Sequence, residues 1–119
     1  MAPQSVLVVE DNPVLAEAIT FALSTFGWSV TGPFATNEAA LAAIQSEVFT
    51  AAILDLDLGA TLSVPTAERL RERGIPFLFM TGHDAAGVVP AEFQNEPCLV
   101  KPVEPEQLVQ ALEALTSGS

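Results

Sequence analysis

Two groups of acids each follow directly on a run of apolar residues. Glu10-Asp11 comes after Val6-Leu7-Val8-Val9, and Asp55-Leu56-Asp57 after Ala51-Ala52-Ile53-Leu54. Two more polar residues end apolar runs in the same way: Thr81 after Phe77-Leu78-Phe79-Met80, and Lys101 after Cys98-Leu99-Val100. If the four runs are neighbouring strands, Glu10, Asp11 and Asp55 repel one another. One carboxyl must then stay protonated unless a cation joins them. Magnesium suits such a set, because it takes oxygen ligands and keeps part of its water shell. A cation there also offsets the charge on a phosphoryl group in transfer. Each residue has a plainer explanation alone. Glu10 and Asp11 favour a helix N-terminus, Thr81 suits a strand-end turn, and Lys101 suits solvent. Asp55 is harder to place otherwise, since Asp is disfavoured in strands and a bare buried carboxylate is costly. The four positions together make the shared site the better reading.

The elements needed to gather them are legible. The run 6–9 reads as a strand buried on both faces. Asn12 caps a helix that opens on Pro13, and Gly27 stops it. Its inward face is expected to hold Leu15, Ala18, Ile19, Ala22, Leu23 and Phe26. Trp28-Ser29-Val30-Thr31 alternates as an edge strand closed by Gly32-Pro33. A second helix is expected over 36–47, with Ala40, Leu41, Ile44 and then Val48 inward. The third strand, 51–54, ends on Asp55. A third helix over 65–73 turns Ala67 and Leu70 inward and Arg69, Arg71 and Arg73 outward, and Gly74 ends it. The fourth strand is 77–80. A weak helix over 84–92 contains Gly87 and Pro90. The fifth strand is 98–100, and Pro105 opens a last helix with Leu108, Ala111, Leu112 and Leu115 inward. Strands alternating with helices predict an α/β fold, a doubly wound five-stranded parallel sheet. Ligands of such sheets bind beyond the carboxyl ends of the strands, where the four polar positions lie.

Length and composition bound the rest. The 119 residues, half of them hydrophobic, are expected to form one domain, 1–119, with an ordered core of about 5–116. The net charge of −11, from fifteen acids and four bases, provides no basic face for nucleic acid. The single cysteine, Cys98, excludes an internal disulfide and fits a reducing compartment. Neither a basic leader nor a membrane-length apolar run is present, so a cytoplasmic protein with no membrane partner is expected.

The motifs Val8-Val9-Glu10-Asp11-Asn12, Ile53-Leu54-Asp55-Leu56-Asp57, Met80-Thr81-Gly82 and Val100-Lys101-Pro102 resemble those of response regulator receiver domains along the whole chain. That resemblance implies a flavodoxin-like (βα)5 sheet in the order 2-1-3-4-5. It also implies a phosphorelay role, in which Asp55 accepts a phosphoryl group from a histidine kinase or phosphotransfer protein. Magnesium would be bound by Asp11, Asp55 and the backbone carbonyl of Asp57, with Glu10 acting through water. Thr81 and Lys101 would engage the transferred group. The chain would undergo one transfer per activation, without enzymatic turnover, and would signal to a downstream protein. The stretch 54–82, ending in Phe79-Met80-Thr81-Gly82, further resembles stand-alone receivers named for a Phe-Ala-Thr-Gly run.

Two departures stand out. The usual aromatic three residues before the lysine is Cys98 here, read as a small buried apolar residue. His83, near Thr81, is either a modulator of water access or a plain loop residue. Two other readings compete. Asp55 and Asp57 also resemble the nucleophile and acid of haloacid-dehalogenase-type phosphatases, but that pair belongs on a first strand and Gly59 stands where Thr or Val is usual. A receiver-like module that binds without being phosphorylated is disfavoured, because every acceptor-site residue is present.

Overall fold

The computed structural model describes residues 4–59, 61–82 and 89–117. Five parallel strands form one sheet: β1 (Ser5–Val9), β2 (Ser29–Phe34), β3 (Ala51–Asp55), β4 (Phe77–Thr81) and β5 (Cys98–Val100). Their order is β2-β1-β3-β4-β5, which places β1 and β3 side by side in the middle. The helices are α1 (Pro13–Thr25), α2 (Asn37–Ser46), α3 (Val64–Glu72) and α4 (Pro105–Ser117). The sheet and its order are those expected. Most of the helix expected over 84–92, with Gly87 and the neighbouring His83, lies outside the described residues; within them Ala91–Phe93 form a single 3-10 turn.

Helices cover both faces of the sheet. On one, Leu7, Val9, Leu54, Phe77 and Phe79 pack with Ala40 and Ile44 of α2, Ala67 and Leu70 of α3, and Phe93. On the other, Val6, Val8, Ile53, Leu78 and Met80 pack with Ile19 and Leu23 of α1 and Leu108, Val109 and Leu112 of α4. Burial on both faces explains why β1, β3 and β4 carry unbroken apolar runs, 6–9, 51–54 and 77–80, rather than alternating. Among the described residues no helix is long and apolar enough to cross a membrane.

Several local expectations are corrected. Strand β2 does not close at Gly32-Pro33 but continues through them to Phe34, and Trp28 is buried just before the strand. The pairing of β1 with β2 shifts between Leu7↔Thr31 and Val9↔Phe34, so β2 carries an extra residue there. Gly32 makes this possible: its φ is +107°, and a Cβ would sit 2.7 Å from the Val8 carbonyl oxygen. Pro33 lacks a donor but is tolerated on this edge strand. In α1 the buried residues are Ala16, Ile19, Ala22 and Leu23, while Ala18 and Phe26 are exposed. Val48 is 83% exposed and Phe49 takes the buried place. Glu47 leaves α2 in an extended conformation, so helical spacing no longer governs the residue after it.

Candidate functional site

The ends of β1, β3, β4 and β5 bring the polar residues to one edge. Asp55 is the last residue of β3, and Glu10 follows β1 directly. Both are 2% exposed, whereas Asp11 is exposed. Carboxylate oxygens of Glu10, Asp11 and Asp55 lie within 4.8 Å of one another. Lys101 is brought in because its backbone N–H donates to the Thr81 carbonyl at 2.6 Å, tying the end of β5 to that of β4. Its ammonium donates to Asp55 Oδ2 at 2.8 Å and lies 3.2 Å from Glu10 Oε1. The other Asp55 oxygen, Oδ1, accepts the Asp57 N–H at 3.2 Å.

Charge in this group is unbalanced. Burial, followed by the hydrogen bond and charge of Asp55, pushes the Glu10 carboxyl up to about 7, against the opposing effects of the Asn12 N–H and Lys101. Burial works to lower the Lys101 pKa, but its contacts with Asp55 and Glu10 outweigh that and raise it. Glu10 Oε2 accepts the Asn12 N–H at 3.1 Å. Glu10 Oε1 is buried without a well-directed donor, its approach to Lys101 being an ion pair by distance rather than an aligned hydrogen bond. Keeping Glu10 ionised at neutral pH therefore costs free energy in the bare protein, and an oxygen-seeking divalent cation fits that deficit. The donor set, an orphaned carboxylate oxygen beside two more carboxylates, matches magnesium in chemistry.

Asp57 is exposed, and its carboxylate is occupied locally, with Oδ1 accepting the Gly59 N–H at 2.8 Å. It is thus held in a local turn. Gly59 has φ +87° and brings the loop against Asp11, where a Cβ would lie 3.4 Å from Oδ2.

Thr81 is fully buried, and its hydroxyl lies 3.7 Å from the Cys98 sulfur. Cys98 is exposed, which corrects the buried packing residue expected at that position. On the edge strand β5 only Leu99 is drawn into the core, and Cys98 points to the other side. Two residues with no signal in the sequence link α2 and α3 to the loop after β3. Asn37, the first residue of α2, donates from Nδ2 to the Leu62 carbonyl at 2.9 Å and accepts the Thr66 hydroxyl at 2.6 Å. In sequence both are ordinary polar residues in the first turn of a helix.

Comparison with known proteins agrees with this arrangement. The family model described as response regulator receiver domain matches residues 6–113. The probable transcriptional regulatory protein TcrX of Mycobacterium tuberculosis is 32% identical over 95% of this chain and 50% of its own length. The positive alginate biosynthesis regulatory protein of Pseudomonas aeruginosa is 33% identical over 92% of the chain and 46% of its own length. The chain thus spans about half the length of these curated relatives. The solution structure of SdrG from Sphingomonas melonis Fr1 is similar with a TM-score of 0.83 and 35% identity, covering 97% of this chain and 98% of that one. With matching strand order, an acidic cluster at the strand ends and a family match over nearly its whole length, the chain belongs to the response regulator receiver domains of two-component signalling.

Proposed function

We propose that Asp55 accepts a phosphoryl group from the phosphohistidine of a histidine kinase or phosphotransfer protein. Asp11, Asp55 and the Asp57 carbonyl would hold magnesium, with Glu10 acting through water. The observation that carries the reading is the buried carboxylate of Asp55 at the end of β3, held between the Lys101 ammonium and the Glu10–Asp11 acids. An Asp55 oxygen attacks phosphorus in line with the P–N bond. A P–O bond forms, the P–N bond breaks, and its electron pair returns to the imidazole. Magnesium, when bound, supplies positive charge against the three carboxylates and the incoming phosphoryl oxygens. The Asp57 N–H steadies the acceptor through Oδ1, and Lys101 lies within reach of the oxygens that arrive.

Cation dependence is the direct test. The intact mass of the protein is followed after incubation with a small phosphodonor such as acetyl phosphate. One phosphoryl addition is expected in millimolar magnesium, about the level a carboxylate site with few protein ligands needs, and little or none in chelator. Equal labelling in the two conditions would sink the reading.

The product adds about two negative charges and three strong acceptor oxygens. Thr81, buried at the end of the neighbouring strand, is placed to answer it by exchanging its contact with Cys98 for a phosphoryl oxygen. Thr81→Ala is therefore expected to accept the phosphoryl group within about threefold of the wild-type rate, since transfer needs no hydroxyl at that point. It should also lose the change in amide exchange that phosphorylation produces in the segment after β4. Hydrogen exchange with and without beryllofluoride compares the two proteins, and an unchanged response in Thr81→Ala would remove Thr81 from the switch.

The signal is proposed to leave by protein contact. At −11 the domain repels polyanions. Arg69 and Arg71 are paired with Glu72 and Glu96, and Lys101 with Asp55.

A further inference from the structure

The loop between β3 and α3 carries Asp57 and lies against Asp11, so its shape bears on the acidic site. Its internal ties are short and local. Asp57 and Leu62 face each other in an antiparallel bridge, and the Leu58 N–H donates to the Thr61 carbonyl at 2.8 Å. The Ser63 N–H donates to the Leu56 carbonyl at 2.9 Å, closing the loop on itself. Where the loop leaves β3, the Leu56 N–H donates to the Met80 carbonyl at 2.9 Å; beyond that point the ties within the loop still let it tilt about its two ends. A polar link from the far side of the loop to α2 runs through Asn37, which holds the Leu62 carbonyl directly across the bridge from Asp57. Asn37 is itself oriented by Thr66, a fully buried residue of α3. The amide is used at both ends, nitrogen as donor and oxygen as acceptor, which fixes which way it faces. Three elements, the N-termini of α2 and α3 and the loop, therefore share one hydrogen-bonded chain.

We propose that Asn37 and Thr66 are positioning residues for magnesium: by holding Leu62 they set the loop so that the Asp57 carbonyl faces the acidic site. The inference rests on the metal reading given above. Among the described residues the side chains of Asn37 and Thr66 hydrogen-bond to Leu62 and to each other, not to a proposed metal ligand, so their effect passes through the loop. Outer partners that bond metal ligands directly typically contribute 10–100-fold in metal affinity. One step further out, about a three- to tenfold weakening is expected.

The test is magnesium binding by calorimetry on the full chain, together with amide exchange in chelator. Asn37→Ala is expected to weaken binding by that factor and to speed exchange at Leu58 and Ser63, while the amides of β1 and β3 keep their protection. Thr66→Val, close to isosteric but without the hydroxyl, should show the same defect to a smaller degree. Thr66→Ser keeps the donor and should restore wild-type affinity, which a purely packing role for Thr66 would not allow. If Asn37→Ala does not fold, the Thr66 pair decides alone. Wild-type affinity in folded Asn37→Ala, or equal losses in Thr66→Val and Thr66→Ser, would overturn the inference while leaving the metal reading intact. A wild-type protein that binds no magnesium would overturn the metal reading, and this inference with it.

Discussion

Asp55→Asn is expected to abolish labelling: the intact mass stays at the unmodified value under conditions that convert the wild type. The amide is nearly isosteric with the carboxylate and keeps an oxygen able to accept from the Asp57 N–H or from Lys101. On the proposed reading it loses the anionic oxygen that attacks phosphorus. Glu10 lies 3.2 Å from the same lysine, but its Oε2 is already engaged by the Asn12 N–H. The variant should fold, and in chelator it should be at least as stable as the wild type. After burial, the hydrogen bond and charge of Asp55 are what push the Glu10 carboxyl up. Removing that charge lets Glu10 ionise nearer its ordinary range, relieving a cost that the folded wild type carries at neutral pH. Magnesium affinity should fall, because one of the three carboxylates is gone. Labelling at the wild-type rate would place the acceptor elsewhere, and a destabilised variant would show that the crowding argument has the wrong sign.

The residues that could be read in advance are those whose signal is local. Apolar runs located β1, β3 and β4 within a residue, because strands buried on both faces have no other composition available. The polar residues ending those runs then fell at one sheet edge, since parallel strands all end on the same side. What failed depends on contacts distant in sequence. Gly32-Pro33 looks like a terminator, but Gly32 is where β2 crosses close to the Val8 carbonyl, and an edge strand can carry a proline. Val48 continues the helical spacing of α2, yet the chain has already left the helix at Glu47. Cys98 has a buried residue's composition, but β5 is the other edge, and only one of its three side chains faces the core. The link from Asn37 to Leu62 joins residues 25 apart, and the one from Asn37 to Thr66 joins residues 29 apart. Nothing in the neighbours of either residue announces them.

Lys101→Met is expected to slow phosphorylation by about 10²–10³-fold, the cost of losing one preorganised charge aimed at a reacting group, while magnesium binds at least as tightly as before. The two effects should separate because the lysine has opposite relations to the two ligands. Its ammonium, 2.8 Å from Asp55 and 3.2 Å from Glu10, lies where it attracts phosphoryl oxygens and repels a dication. Contact with both acids raises its pKa, so it stays charged throughout the neutral range. Methionine preserves much of the side chain's length and its packing but not its charge. In chelator the variant should be less stable than the wild type, since Asp55 and Glu10 are left buried without their cation. Added magnesium should recover most of the difference, an amount set by the ligand's preference for the folded state. The measurements are labelling rate, calorimetric affinity and thermal midpoint with and without magnesium, on the same preparation. A variant whose rate and magnesium affinity fall together would mean that Lys101 serves to hold the carboxylates in place. A fall in rate alone identifies it as the charge that receives the phosphoryl group.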